Sequence, residues 1–284
     1  MIKAIVIFSV LSAGLSEKAH TAFEFKNRGG RSAALGGAYT AVSDDVEAVW
    51  WNPAGLRLLK DIQADTSYTA MYGMRELAVK NLAVALPGMR IGTWGFGYSS
   101  FGFSGYREHD IRLVFSAGLA DGVYLGTGIR KNRVEIGGGG GAGGIVSVDA
   151  GIIADVSEYF RLGFCAYSMN RPVLLSGPIE HPEQRFMLGL SALAAEEVRL
   201  SLDLHGITDR EWQHRLGIEL PLADSLFLRA GVQTRPARLS FGIGAEKGLF
   251  MLNYAYIGHQ TLFSQHMVSM RLRFGRANES SGIF

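Results

Sequence analysis

The sequence predicts an all-β fold: a transmembrane antiparallel β-barrel of about fourteen strands around a small N-terminal plug of short helices. Three observations lead there. From about residue 61 onward apolar and polar residues alternate with period two, the signature of strands whose successive side chains point to opposite faces. Breakers cut this region into segments of about 10–13 residues, enough to cross a bilayer at a tilt, for which roughly 9–11 suffice. Every second connection is tight and polar while the alternate set contains the longest loops, the rim asymmetry of bacterial barrels and not of a soluble sandwich.

Composition removes the competing classes. There are 37 glycines in 284 residues, nearly twice the roughly 7% of average proteins but without the period of collagen. Hydrophobic residues make up 48% and the net charge is +2, which excludes a disordered chain. A single cysteine, Cys165, excludes a disulfide scaffold and a cysteine-based zinc site. The mean hydropathy of +0.13 is high, yet no apolar run approaches the roughly 18 residues of a spanning helix.

At the N-terminus, Lys3 precedes an apolar run from Ala4 to Leu15, the length of a signal-peptide core and too short for an anchor. Residues 1–22 are read as a signal peptide, cleaved after the small residues of Gly14-Leu15-Ser16 or near Ala22; the alternative is a buried N-terminal helix or strand. Residues 23–60 do not alternate. They are rich in small residues between Arg28 and Val42, then run Asp44-Asp45-Val46-Glu47-Ala48-Val49-Trp50-Trp51-Asn52-Pro53. Asp44 with Glu47 three residues on is a helix N-cap and N3 pair, and Asn52-Pro53 ends that helix because a residue before proline is pushed out of the α region. A compact piece of this kind, inside a barrel, is a plug.

The barrel, 61–274, divides into strands at 61–72, 76–87, 90–101, 106–119, 122–135, 145–156, 158–169, 183–194, 196–206, 210–220, 224–233, 236–246, 248–257 and 262–274, with a tail at 275–284; twelve strands remain the alternative count. Tight turns fall at Pro87-Gly88, Ala120-Asp121, Ser157-Glu158, Ala195-Glu196, Ala223-Asp224 and Lys247-Gly248, and the longest loops at Ile136–Gly144 and Asn170–Pro182. One strand face carries Arg112, Arg130, Asp149, Arg161, Arg185, Arg199, Asp203, Arg215, Glu219, Arg229, Arg238, Glu246, Arg271 and Arg273. Charges cost several kcal/mol in lipid unless solvated or paired, so this face lines the lumen. Glycines share that face, leaving room for a plug or for a permeant. The other face, with Trp94, Phe96, Tyr98, Trp212, Tyr254 and Tyr256, faces lipid.

The run Ala34-Leu35-Gly36-Gly37-Ala38, continued by Asp44-Asp45 and Trp51-Asn52-Pro53-Ala54-Gly55-Leu56, resembles the N-terminal signature of the FadL-like outer-membrane superfamily. That group includes fatty-acid and aromatic-hydrocarbon transporters and the PorV and PorQ proteins of type IX secretion, and the motif wording is closest to the PorV/PorQ branch. The resemblance implies a fourteen-stranded barrel in the bacterial outer membrane whose N-terminal hatch holds Asn52, Pro53, Ala54 and Gly55, with Gly36, Gly37, Asp44 and Asp45 as further hatch or gating residues. It also implies passive uptake of small hydrophobic molecules such as fatty acids or aromatics, or else a PorV-like scaffold that receives secreted proteins. The chain is much shorter than FadL, with lean loops.

The remaining motifs carry less. Asp44-Asp45 reads as capping rather than acid–base or metal chemistry. Gly137–Gly144 lacks the Lys-Ser/Thr of a phosphate loop and reads as a flexible surface loop. Val173, Leu174 and Leu175 form either an apolar patch for ligand capture or a cluster packed on the rim. His205 and His214 read as solvated rim histidines, and Cys165 as an inert buried thiol. No catalytic constellation stands out, so no enzyme, metal or cofactor is expected. The expected partners are outer-membrane lipid and a small hydrophobic ligand or a secreted protein, with no nucleic acid and a monomeric barrel. An arginine-rich lumen attracts anionic head groups, and internal Arg–carboxylate networks that stiffen a closed barrel give the same pattern.

Overall fold

The computed structural model describes residues 26–89, 91–138, 141–171, 183–194, 198–208, 211–260 and 263–275. The signal-peptide segment, the C-terminal tail from residue 276 and Val173, Leu174 and Leu175 lie outside the described residues. Fourteen strands follow the plug: β1 (Ile62–Ala70), β2 (Ala78–Met89), β3 (Gly92–Phe103), β4 (Tyr106–Ala120), β5 (Val123–Ile136), β6 (Gly141–Asp155), β7 (Phe160–Tyr167), β8 (Arg185–Leu193), β9 (Arg199–Ile207), β10 (Gln213–Ala223), β11 (Leu226–Gln233), β12 (Arg238–Lys247), β13 (Phe250–Ile257) and β14 (Gln265–Phe274). Each pairs antiparallel with its sequence neighbours, and β1 pairs with β14 from Ile62–Phe274 to Ala70–His266, which closes the sheet. Closure removes both edges, so every strand finds its ladder partners within the wall. No described helix is long and apolar enough to cross a membrane.

Burial follows the alternation. Along β14, Gln265, Met267, Ser269 and Arg271 point inward and are buried, while His266, Val268 and Met270 are exposed. The exposed positions around the whole wall are mostly Leu, Ile, Val and Phe, so the barrel turns its apolar face outward and its polar face inward, the inverse of a soluble barrel.

The two rims differ. Beside the start of β1 and the end of β14, neighbouring strands are joined at 121–122, 224–225 and 248–249. On the opposite rim the joins include 71–77, 168–184 and 258–264. Three details depart from the sequence reading. Pro87 and Gly88 lie within β2, at a register irregularity between Leu86 and Met89, so the turn falls after them. The connection at 104–105, on the long-loop rim, is as short as those opposite. The glycine run is only partly a loop: Gly141–Gly144 belong to β6, in register with Arg133–Ile136 of β5, because an adjacent strand offers a hydrogen-bond ladder that glycines accept without steric cost.

Residues 26–60 fill the barrel. Their elements are α1 (Gly30–Ala34), α2 (Ala48–Trp51) and a 3-10 helix at Pro53–Leu58. Asn52 is extended between the last two, and Pro53 starts the 3-10 helix, where its missing N–H costs nothing. The largest core cluster joins plug residues Leu35, Tyr39, Val42, Val49, Trp50, Trp51 and Leu56 to Ala83, Ala85 and Val114 of the wall. The plug therefore does not sit loosely in water; it supplies most of the largest hydrophobic cluster among the described residues, beside smaller clusters of the wall itself.

Candidate functional site

The site is the boundary between plug and wall. Asn52, fully buried, is its clearest anchor. Its side-chain oxygen accepts from Ala54 N (3.2 Å), and its amide nitrogen donates to the Thr40 carbonyl (2.9 Å) and to the Ile152 and Phe164 carbonyls of β6 and β7 (3.3 and 3.4 Å). Thus one amide closes the local turn, ties the two halves of the plug together and pins both to the wall. Inward glycines admit this close approach. A Cβ on Gly151 would strike the Asn52 side chain, and one on Gly126 would strike the Pro53–Ala54 backbone. Gly163 and Gly189 meet Thr40 and Ala41 in the same way, and Gly231 meets Leu35 and Gly36. These five inward glycines make room for the plug. Within the plug, Gly36 and Gly37 have positive φ of 65° and 75°, the left-handed region that favours glycine. Gly55 lies against the Ser43 carbonyl, where any side chain would clash.

Electrostatics supply the second set of ties. Arg31 of α1 makes a two-pronged pair with Glu219 of β10 (both 2.7 Å) and binds Asp44 (2.5 Å) and Asp45 (2.9 Å). Arg271 of β14 reaches Asp45 (2.6 Å) and Glu47 (3.3 Å), Arg199 of β9 reaches Asp44 (3.0 Å), and Arg229 of β11 reaches Glu219 (2.6 Å). Burial alone would raise the Asp44 and Asp45 carboxyls; the Arg31 and Arg199 charges for Asp44, and Arg271 with Arg31 for Asp45, more than reverse this and hold both below the usual range. Glu47 goes the other way, raised by burial and by the Asp45 charge against the pull of Arg271.

These contacts correct the capping assignment. The residue preceding α2 is Glu47, which makes no side-chain cap there; instead its carboxylate accepts from Arg31 N (3.2 Å) and Ser32 N (3.0 Å) in α1. Asp44 is an ion-pair residue, and Asp45 accepts from Glu47 N (2.9 Å) while paired with Arg31 and Arg271. Buried guanidiniums and backbone amides share these carboxylates, and charge-assisted bonds of both kinds hold them away from the start of α2. His205 also departs from expectation. It is fully buried on β9, 3.2 Å from Asp203 and 6.5 Å from the Trp51 ring, because β9 runs on to Ile207 and keeps its odd positions inward. His214 is exposed, and Cys165 is buried.

The other lumen residues also face the plug. Asp203 accepts from Tyr39 N (3.0 Å), Thr40 N (2.9 Å) and the Thr40 hydroxyl (2.5 Å). Arg112 is held by Asp110, and with Arg28 it flanks the Trp50 ring at 5.2 and 4.9 Å. Arg130 binds Asp149 (3.3 Å) and the Ser168 hydroxyl (2.7 Å). Arg161 pairs with Asp155 (2.6 Å) near the short-turn rim, and its charge also reaches Asp44 of the plug. Toward the long-loop rim, Arg215, Gln233 and Arg238 lie in one register row on β10, β11 and β12. Arg215 lies against Gly37 and within the field of Arg185 and Arg238, and its Nε and Nη1 have no hydrogen-bond partner among the described residues. A cavity between plug and wall, lined by Val49, Pro53, Arg112, Val114, Asp149 and Tyr167, has only ≈ 10 Å³, about one water. Nothing local in the sequence gives Arg31 or Thr40 a role. The available signal was a cation in a small-residue segment assigned to a closed lumen, which requires carboxylates around it.

The fold recurs in solved structures. A Pseudomonas aeruginosa FadL homologue superposes with a TM-score of 0.63 at 12% identity, over 86% of this chain and 96% of that one. The Pseudomonas putida toluene transporter TodX gives 0.64 at 12%, over 89% and 100%. An outer membrane protein of Acinetobacter baumannii gives 0.51 at 8%, over 75% and 97%. No family model and no curated protein matches the sequence. The chain therefore has the fold of FadL-type outer-membrane barrels, recognised through its architecture.

Proposed function

We propose that this protein is a gated channel of the bacterial outer membrane for passive uptake of small hydrophobic molecules such as fatty acids or aromatics. The observation that carries the reading is a barrel closed by its own N-terminal segment through contacts that can be remade: one amide, a few arginine–carboxylate pairs and a glycine-backed surface. These ties stand beside the apolar cluster that plug and wall share, and a buried ion-pair network costs desolvation that more hydrophobic packing would avoid, so they suit a plug that moves. The likeness to a FadL homologue and to a toluene transporter supports the substrate class.

In this reading a ligand enters from the long-loop rim and meets Arg215 and its neighbours, which favour an anionic head group. The plug then shifts along the glycine-lined wall, because Trp50 and Trp51 are packed inside the barrel against it. Uptake of labelled fatty acids and aromatics by a transporter-deficient host tests this, comparing wild type with Asn52→Ala. Uptake above the empty host, altered by the substitution, is expected. Equal, background uptake by both forms, together with co-purification of secreted proteins, would replace transport with the PorV-like scaffold role.

A further inference from the structure

We infer that the outer wall of β2–β5 docks a lipid carrying more than one phosphate, in the leaflet beside the long-loop rim. The observation is a one-sided cluster of outward cations on an otherwise apolar exterior. Lys80 of β2, Arg107 of β4, and Lys131 and Arg133 of β5 are all exposed on the lipid side of the wall. Around β6–β13, the outward positions of the same half read Val146, Phe164, Phe186, Leu204, Leu216 and Phe241, for example; no described lysine or arginine stands among the outward strand positions of that half, and Lys247 of β12 lies at the opposite rim.

Register places the cations together. Lys80 pairs across with Ser100, Ser100 with His109, and His109 with Arg133. Neighbouring strands lie about 4.8 Å apart, so Lys80 and Arg133 are separated by roughly 14 Å along this row. One step toward the membrane, Tyr98, Ile111 and Lys131 form the next row. Lys131 stands between Ile111 and Val146 of the adjacent strands and above Ile129 of its own. An amine among apolar side chains at the upper border of the lipid band needs a counter-anion at head-group height.

The wall offers too few: among the described outward strand positions of β2–β5 the one carboxylate is Glu135, in register with Arg107. Among the described residues Lys80, Arg107 and Lys131 form no ion pair, and Arg133 alone has a carboxylate, Glu135 at 2.9 Å on the exposed surface. Tyr68, in register with Lys80, and Tyr98, whose hydroxyl lies 2.9 Å from His109 Nδ1, supply the amphipathic rings that settle at this level of a bilayer. Cations spread over three strands suit two phosphates on one head group better than a single anion, which would satisfy one end of the row.

The full-length protein in nanodiscs tests this. Discs contain phosphatidylethanolamine with either bisphosphorylated lipid A or its dephosphorylated form, and retained lipid is counted by native mass spectrometry after detergent extraction. Wild type is compared with the triple variant Lys80→Gln, Lys131→Gln, Arg133→Gln and with His214→Gln on the opposite wall. Heat-modifiable gel migration confirms that each barrel has folded. Wild type and His214→Gln are expected to retain the phosphorylated lipid preferentially, and the triple variant to lose about tenfold of that preference, as expected when several surface cations are removed from an anionic lipid. Equal retention of both lipids by wild type, unchanged retention by a folded triple variant, or full displacement by millimolar inorganic phosphate would overturn the proposal. Should the triple variant not fold, Lys131→Gln alone is read in the same assay, with a smaller loss expected and no loss counting against docking.

Discussion

Arg31 binds Glu219, Asp44, Asp45 and the Tyr39 hydroxyl at once, so it couples α1 to both the plug's own turn and the wall. Replacing it, as Arg31→Met, leaves buried carboxylates without their main cation and is expected to cost about 3–5 kcal/mol, the usual penalty for halving a buried pair. The sign of its pH dependence follows from the depressed carboxyls. Asp44 and Asp45 lie below their ordinary value near 3.9, so their contribution is complete above that value and is lost as pH falls through the depressed folded one. The gap in thermal midpoint between wild type and Arg31→Met should therefore be widest at neutral pH and narrow in strong acid, read by thermal unfolding in detergent across that range. A gap independent of pH would assign the loss to packing instead. Asn52 makes a separate prediction. Asn52→Ala strands the Thr40 carbonyl and the Ala54 amide, at about 1–3 kcal/mol for each buried group left unpaired, and should appear as faster proteolysis of the plug while the barrel stays heat-modifiable.

Among the elements, the inward glycines of β5, β6 and β7 hold the plug by absence. Gly126→Val would drive a side chain into the Pro53–Ala54 backbone, where the contact is main chain and cannot rotate away. The wall should still close, since valine suits a strand, but the plug should be displaced, raising bilayer conductance. The outward Thr127→Val beside it should change neither. These elements were unequally legible in the sequence. Strands were readable to within a few residues because one face meets lipid and the other does not, which writes period two into every segment. The plug's composition and its break at Asn52-Pro53 were readable for the same local reasons. The ties were not. Arg31 and Glu219 are 188 positions apart, and nothing local to either names the other. Glu47 looked like a partner for its own helix because local pattern favours short-range caps, whereas the fold brings the start of α1 to it. His205 looked like a rim residue because a loop follows its strand, but its odd position on β9 turns it inward toward Trp51.

At the scale of the whole molecule, the barrel and plug depend on each other. The wall satisfies its backbone by closing on itself, but its inward face is largely polar, and the largest hydrophobic cluster among the described residues is the one it shares with Trp50, Trp51 and their neighbours. Closure of the lumen and cohesion of the interior are thus one set of contacts, and passage requires that some of them be broken and remade. The most direct measurement of this is ion conductance in planar bilayers for the wild-type protein and for a variant lacking residues 26–60, each first shown to be a heat-modifiable barrel. A wild type that is silent or opens only in rare, brief events, beside a deletion variant that conducts steadily, is the predicted result. Steady, equal conductance by both would contradict the account, since it would mean that the N-terminal segment does not close the barrel.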